Sequence, residues 1–119
     1  MESRIVEKPW GTETWIASNE HYICRILHIK KGASVSLQYH EKKVETLYIE
    51  EGSAEYTFQR PGEERQTWII RAGDILEHRP FEIHREKALE DMKIIEVSTP
   101  EIDDIIRLED DYGRKSPFK

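Results

Sequence analysis

Apolar and polar residues alternate along most of this chain, in short runs that end at turn residues. Successive side chains of a strand point to opposite faces, so a period of two predicts strands with one buried face. The runs are rich in β-branched and aromatic residues, which favours the same assignment. Strands are predicted at 22–29, 34–40, 44–50, 54–59, 66–70, 74–78 and 92–97. Many short strands at this spacing are typical of a β-sandwich or β-barrel.

Glycine marks the predicted turns between these strands. The turns fall at 30–32, 50–53, 60–64 and 71–74. Arg60-Pro61-Gly62-Glu63 suits a type II turn, with proline at the second position and Gly62 supplying the positive φ.

The alternation stops after Val97. Ser98 and Thr99 can cap a helix, Pro100 suits its first position and the acids that follow suit its first turn. This predicts a short helical turn over 100–106. The polar tail from 107 to 119 is too short for a domain and is expected to pack on the barrel or to fray.

Composition limits the classes of protein that remain. A chain of 119 residues is expected to form one domain over 1–119. The net charge of −6 argues against nucleic acid as the main partner, because phosphate backbones are bound by basic faces. The single cysteine, Cys24, excludes an internal disulfide and favours a reducing compartment. Without a long apolar run or a signal-peptide core, a soluble, cytoplasmic protein without membrane association is expected.

One stretch, from Gly32 to Gly52, places three polar side chains inside a strand-like region. Gln38 and His40 share one strand face, and Glu45 shares the parity of apolar residues that should face the core. If 41–43 form the turn of a hairpin, these three side chains meet inside the barrel mouth. Burying a carboxylate and an imidazole is costly unless they are paired or bind a metal.

The residue types suit a divalent metal. An imidazole, an amide oxygen and a carboxylate are common ligands of such ions. His84, at the end of the run 79–84, is the expected fourth ligand. The competing interpretation is a solvated strand edge. His21, His28 and His78 lack this context and are not expected to be ligands.

The spacing resembles the first motif of the cupin superfamily. Five residues separate Gly32 from Gln38, one separates Gln38 from His40, four separate His40 from Glu45, and six separate Glu45 from Gly52. The family has histidine where this chain has Gln38. Its second motif is matched at Gly73 and His84, whereas Arg79-Pro80-Phe81 replaces the usual Pro-x-Gly and Ala88 replaces the last asparagine.

Three further segments narrow the resemblance to the type II mannose-6-phosphate isomerase cupin. They are EKPWGTETW near the start, SLQYH in the middle and DDIIRLEDDYGR near the end. That cupin is also found as the C-terminal domain of mannose-1-phosphate guanylyltransferase/mannose-6-phosphate isomerase, and it also uses Gln-x-His. The resemblance covers 8–114 and implies an all-β, single cupin (RmlC-like jelly-roll) β-barrel. The chain lacks the nucleotidyltransferase domain, so guanylyl transfer is not expected.

The resemblance also implies a function. It implies a sugar-phosphate isomerase in carbohydrate or polysaccharide metabolism, acting as a homodimer with one divalent metal. Zinc is the first expectation, with manganese, iron, cobalt or nickel as alternatives. Gln38, His40, Glu45 and His84 would bind the metal, Glu41 is a candidate catalytic base, and Lys43 and Arg114 would hold the sugar phosphate.

Two other functions stay open. After the metal histidine the family continues with further histidines and an arginine, whereas this chain continues with Glu41, Lys42 and Lys43. Lys43 keeps a cation in place of the arginine, but the neighbouring histidines are lost, which favours a non-catalytic sugar-binding or regulatory cupin. Two histidines and a carboxylate also occur in non-haem iron oxygenases. An apolar cavity would favour an oxygenase, whereas a cavity with cationic residues would favour a sugar phosphate.

Overall fold

The computed structural model describes residues 2–117, in which every regular element is a strand. The strands of this range are β1 (Arg4–Lys8), β2 (Gly11–Ser18), β3 (Ile23–Ile29), β4 (Leu37–Tyr39), β5 (Glu45–Glu51), β6 (Ser53–Gln59), β7 (Gln66–Arg71), β8 (Ile75–His78), β9 (Ile83–Ala88), β10 (Met92–Ser98) and β11 (Ile106–Glu109).

The strands form two antiparallel sheets that enclose the core. The larger sheet has the order β1-β2-β3-β10-β5-β8, and the smaller has the order β11-β4-β9-β6-β7. Alternation places one face of each central strand inside. In β10, for example, Met92, Ile94 and Glu96 are buried while the residues between them are partly exposed. The jelly-roll barrel expected from the sequence is confirmed.

The predicted hairpin around 41–43 is wrong. β4 pairs with β9 and β11, whereas β5 pairs with β10 and β8 in the opposite sheet. The connection between β4 and β5 therefore crosses from one sheet to the other. Of the predicted strand 34–40, only Leu37–Tyr39 forms a strand. Glu45 approaches His40 from the facing sheet rather than from a neighbouring strand.

The predicted helical turn at 100–106 is also wrong. Residues 2–117 contain no helix, and 102–103 form a tight turn that leads into β11. Ile106 is buried and pairs with Tyr39, and Arg107 pairs with Gln38. Pairing with β4 uses the backbone groups that a helix would have satisfied internally. Of the tail, 107–109 thus packs on the barrel, while 118–119 lie outside the described residues.

Four strands escaped the sequence prediction: β1, β2, β9 and β11. β1 is an exposed edge strand, so its sequence shows little hydrophobic alternation. β9 does alternate, but its inward residues begin with His84 and Glu86 rather than apolar side chains. By contrast, the Pro61–Gly62 turn forms as predicted, with φ of 77° at Gly62 and an Arg60 carbonyl that accepts a 3.1 Å hydrogen bond from the Glu63 amide.

One end of the interior is apolar. Its largest fully buried members include Ile49, Ile70 and Ile94. Gly52 closes this end at φ 90°, where a Cβ would collide with the backbone carbonyl of Asp91. The described chain has no helix long and apolar enough to cross a membrane.

Candidate metal centre and its cavity

Three of the four predicted ligands converge at the other end of the interior. His40 follows β4, Glu45 begins β5 and His84 lies near the start of β9. One ligand atom from each of these buried residues lies within 4.8 Å of the other two. His84 Nε2 is 3.4 Å from Glu45 Oε2, and His40 Nε2 is 3.7 Å from Glu45 Oε1.

Both histidines are oriented by backbone carbonyls. Nδ1 of His40 lies 2.5 Å from the Asp104 carbonyl oxygen, and Nδ1 of His84 lies 2.9 Å from that of Glu82. If each Nδ1 carries the donated hydrogen, each Nε2 has a free lone pair that faces the cluster. Both Nε2 atoms are buried, and the described residues give neither a hydrogen-bond partner. Two orphaned imidazole nitrogens beside a carboxylate fit a divalent metal.

Electrostatics favour the metal-binding forms of Glu45 and His84. Burial opposes ionisation of Glu45, but the adjacent His40 and His78 imidazoles and then the Lys43 ammonium outweigh it and hold the pKa of Glu45 well below its usual range. Burial, followed by the charge of His78, holds the pKa of His84 well below its usual range. A carboxylate and a neutral imidazole are the forms that bind metals.

Gln38 lies beside this cluster. It is half-buried, lines the same cavity and pairs in register with His84 across β4 and β9. Its side-chain oxygen accepts a 2.9 Å hydrogen bond from Ser36 Oγ. A role as the fourth ligand would require that oxygen to turn from Ser36 to the metal.

His78 is a member of the site that sequence reasoning missed. It is fully buried, with Nδ1 at 2.6 Å from Glu45 Oε2 and Nε2 at 2.5 Å from the Tyr56 hydroxyl. Its ring stacks on His84 with the centroids 3.6 Å apart. His78 therefore fixes one oxygen of Glu45. Its parity with the buried Leu76 could have shown that it faces inward.

The cluster opens into a cavity of about 180 Å³ with many charged side chains in its wall. Arg25 donates two hydrogen bonds to Glu96, at 2.8 and 2.9 Å, and one to Glu13 at 3.1 Å. Lys43 is buried, with its ammonium 3.2 Å from Glu45 Oε1 and 3.7 Å from Glu96 Oε2. Carboxylates thus neutralise both of these inner cations.

Two further cations of the cavity wall belong to the C-terminal segment. Arg107 and Arg114 both line the cavity. Arg114 is held by Asp110, with its Nη2 2.9 Å from a carboxylate oxygen. Within 2–117, no carboxylate lies within ion-pair distance of Arg107, whose buried Nε has no hydrogen-bond partner there. Sequence reasoning did not single out Arg107.

Lys43 and Arg114, the residues predicted to bind the sugar phosphate, thus both reach the cavity. Glu41, the predicted base, does not line it. Glu41 is exposed, and its backbone amide donates a 3.0 Å hydrogen bond to Asp104 Oδ1.

A different carboxyl group occupies the wall. Glu86 is 3% exposed and lies two residues beyond His84 on β9. Burial, with a smaller contribution from the charge of Glu45, raises the pKa of Glu86 to about 7. Its Oε1 has no hydrogen-bond partner among the described residues.

The loop before His84 carries the chain's departure from the second cupin motif. Phe81 stands where that motif has glycine, and its φ is 67°. Its amide donates a 2.7 Å hydrogen bond to the His40 carbonyl. This strained residue therefore connects the loop before His84 to the predicted ligand His40. Its ring packs against Tyr39, with centroids 5.8 Å apart.

Comparison with known proteins decides the family. Residues 2–110 match the family described as mannose-6-phosphate isomerase C-terminal. The chain belongs to that family. The resemblance drawn from the sequence is therefore confirmed.

Curated relatives of this family member include bacterial proteins of about four times its length. The chain is 32% identical over 119 residues to the xanthan biosynthesis protein XanB of Xanthomonas campestris, covering 93% of this chain and 24% of that protein. It is 29% identical over 115 residues to mannose-1-phosphate guanylyltransferase ManC of Salmonella typhimurium, covering 93% and 23% respectively. The chain thus spans about a quarter of the length of these relatives.

Solved structures share the fold. Oxalate decarboxylase OxdC of Bacillus subtilis superposes with a TM-score of 0.79 at 19% identity, covering 90% of this chain and 30% of that one. KdgF from a Halomonas species gives 0.71 at 21% identity and covers 87% and 90%. The capsular polysaccharide assembling protein CapF of Staphylococcus aureus gives 0.76 at 15% identity, covering 91% and 34%. At these identities the likeness concerns the fold alone.

Proposed function

We propose that this domain binds one divalent metal through His40, Glu45 and His84, with Gln38 as a fourth ligand, and isomerises a sugar phosphate between aldose and ketose forms. The observation that carries the proposal is the pair of buried, unpartnered Nε2 atoms beside Glu45 at the base of a charged cavity. Family membership supports the choice of a sugar phosphate as substrate.

The chain's own residues have separate parts in this proposal. A bound divalent metal would supply a Lewis acid for the sugar's carbonyl oxygen. Glu45, fixed by His78, contributes the negative charge of the ligand set. Arg107 and Arg114 hold the phosphate at the cavity mouth, since guanidinium groups bind oxyanions through paired N–H donors. Lys43 acts mainly to neutralise Glu45 and Glu96. Glu41 stays the candidate base, and as an exposed residue outside the cavity wall it would have to move to reach the sugar.

Zinc is our proposed metal, with manganese, iron, cobalt and nickel as alternatives, because mixed nitrogen and oxygen ligands suit all five. A homodimer and a cytoplasmic setting complete the proposal. Ile5 on the edge strand β1, at 67% exposure, offers apolar surface for a second copy. Size-exclusion chromatography with light scattering tests the dimer.

The first experiment measures metal content and isomerisation together. Wild type, His40→Ala and the control His28→Ala, an exposed histidine on β3, are purified without chelating resin and analysed by mass spectrometry. Each is then loaded with each of the five metals and assayed with mannose 6-phosphate. Wild type and the control should hold about one metal and produce fructose 6-phosphate, and His40→Ala should do neither. A wild type that takes up no metal would overturn the proposal.

A non-catalytic sugar-binding cupin is the second candidate. The exposed position of Glu41 and the neutralised inner cations favour it. It predicts mannose 6-phosphate binding by calorimetry without turnover under any of the five metals. The charged cavity wall argues against the oxygenase alternative.

A further inference from the structure

The carboxyl group of Glu86 is buried at a place where an apolar side chain would suit the protein better. It points inward from β9 between His84 and Ala88. Leu27, Val35 and Leu47 line the same cavity. A buried acceptor without a partner costs free energy, and replacement by an apolar group of similar shape is often stabilising. Folding alone therefore gives no reason for a carboxyl group here.

Neighbouring cations do not supply that reason. Arg25 is bonded to Glu13 and Glu96, and Lys43 lies against Glu45 and Glu96. Glu86 belongs to no ion pair among the described residues, and its Oε1 is orphaned. Within the described residues Glu86 Oε1 thus has no partner and is available to a group that enters the cavity.

Chemistry identifies the class of that group. A hydroxyl group can donate a hydrogen bond to a carboxylate and can accept one from a carboxylic acid. It can therefore pair with Glu86 in either protonation state. A sugar presents several such hydroxyls. Glu86 lies two residues from His84, a proposed metal ligand, on the same strand.

We propose that Glu86 recognises a hydroxyl group of the sugar that enters the cavity beside His84, and so contributes to sugar specificity. This rests on the proposed function, because it takes the sugar phosphate as the ligand. It assigns Glu86 to ligand recognition, in addition to the metal ligands and the phosphate-binding arginines.

The test compares Glu86→Leu and Glu86→Gln with wild type, using the full chain loaded with zinc. Glu55→Leu, the same exchange on the exposed face of β6, is the matched control for Glu86→Leu. Three quantities are measured for each variant: the melting temperature, the metal content, and the Kd of mannose 6-phosphate by calorimetry.

Glu86→Leu should melt at a higher temperature, keep its metal and bind mannose 6-phosphate about ten-fold or more weakly, since one buried hydrogen bond is lost. Glu86→Gln keeps an oxygen acceptor and an N–H donor, so its Kd should stay closer to that of wild type. Glu55→Leu should leave metal content and Kd unchanged.

The outcomes separate this inference from the proposed function. If wild type binds mannose 6-phosphate and Glu86→Leu binds it equally well, the role of Glu86 is refuted while the function stands. If Glu86→Leu melts lower or loses its metal, Glu86 is a structural residue and the inference also fails. If zinc-loaded wild type binds no mannose 6-phosphate, the proposed function fails and this inference fails with it.

Discussion

The two ends of the barrel interior are built from the same strands but from opposite kinds of residue. β5 begins with Glu45 in the metal cluster and continues to Ile49 in the apolar core. β9 carries His84 as its second residue and ends with Ala88, and both are buried. Buried apolar surface stabilises one end, whereas the other buries imidazoles and carboxylates that need partners. This fold thus stabilises a polar site by joining it to an apolar core through shared strands.

The largest expected effect is at the apolar end. Ile94→Ala should lower the free energy of unfolding by about 2–5 kcal/mol, because it leaves a cavity in a fully buried position. Ile75→Ala, at a residue 69% exposed, should change it by less than about 0.5 kcal/mol. Urea unfolding measures both. If the two ends are independent, folded Ile94→Ala should still bind one metal. Loss of metal binding by the folded variant would show that the apolar end also shapes the metal site.

A second test concerns the loop that carries Lys43 into the polar end. The Asp104 carboxylate accepts hydrogen bonds from the backbone amides of Glu41, Lys42 and Lys43, at 3.0, 2.6 and 2.9 Å. Asp104→Ala should cost about 1.5–3 kcal/mol of unfolding free energy, the usual effect of removing a charged acceptor. Urea unfolding of the variant, with the exposed Asp103→Ala as control, measures the loss.

The same carboxylate predicts a pH dependence. Burial opposes its ionisation, but the three amides outweigh burial and lower the pKa of Asp104. A lowered folded pKa means that this stabilisation is complete above about pH 4 and is lost as the pH falls through the folded value. The stability gap between wild type and Asp104→Asn should therefore narrow below pH 4. A gap that stays constant down to pH 2 would contradict the assignment.

The third test sharpens the role of His78 within the polar end. His78→Phe keeps a ring against His84 but removes the hydrogen bond to Glu45. Metal affinity should fall about 10- to 100-fold, the range for groups that orient metal ligands. Competition with a chromogenic chelator measures it. His28→Phe, on the outside of β3, should bind metal as wild type does, and equal affinity in both variants would refute the role.

The smallest expected effect is at Phe81. Its φ of 67° is a conformation that glycine adopts without strain. Phe81→Gly should raise the free energy of unfolding by about 0.5 kcal/mol, since relief of strain exceeds the loss of contact with Tyr39 and the greater freedom of the unfolded chain. Phe81→Ala keeps the strain and loses the contact, so thermal unfolding should show it below wild type. If the glycine variant melts below the alanine variant, strain is not the dominant effect here.

The sequence predicts much of the site, because strand parity and residue spacing are local properties of the chain. Strand alternation placed Glu45 on the inner face with Leu47 and Ile49, and the structure agrees. Parity with Gln38 predicts His40 and the end of the run 79–84 predicts His84, with support from the motif spacing, and both do meet Glu45. His78 and Glu86 escaped notice because a polar residue at an inward position looks, in sequence, like a break in the pattern.

The alternating pattern alone determined that the chain forms an all-β fold and that residues such as Glu45, Leu47 and Ile49 face inward, because a period of two is set by backbone geometry. Which strands are neighbours was decided only by tertiary structure. β4 and β5 look like a hairpin from their short separation, yet each gains hydrogen-bonded partners from distant strands. Pairing with β4 makes 106–109 a strand rather than a helix, because backbone groups pair wherever the sheet offers a partner. Pairing of β8 with β5 brings His78 within 2.6 Å of Glu45.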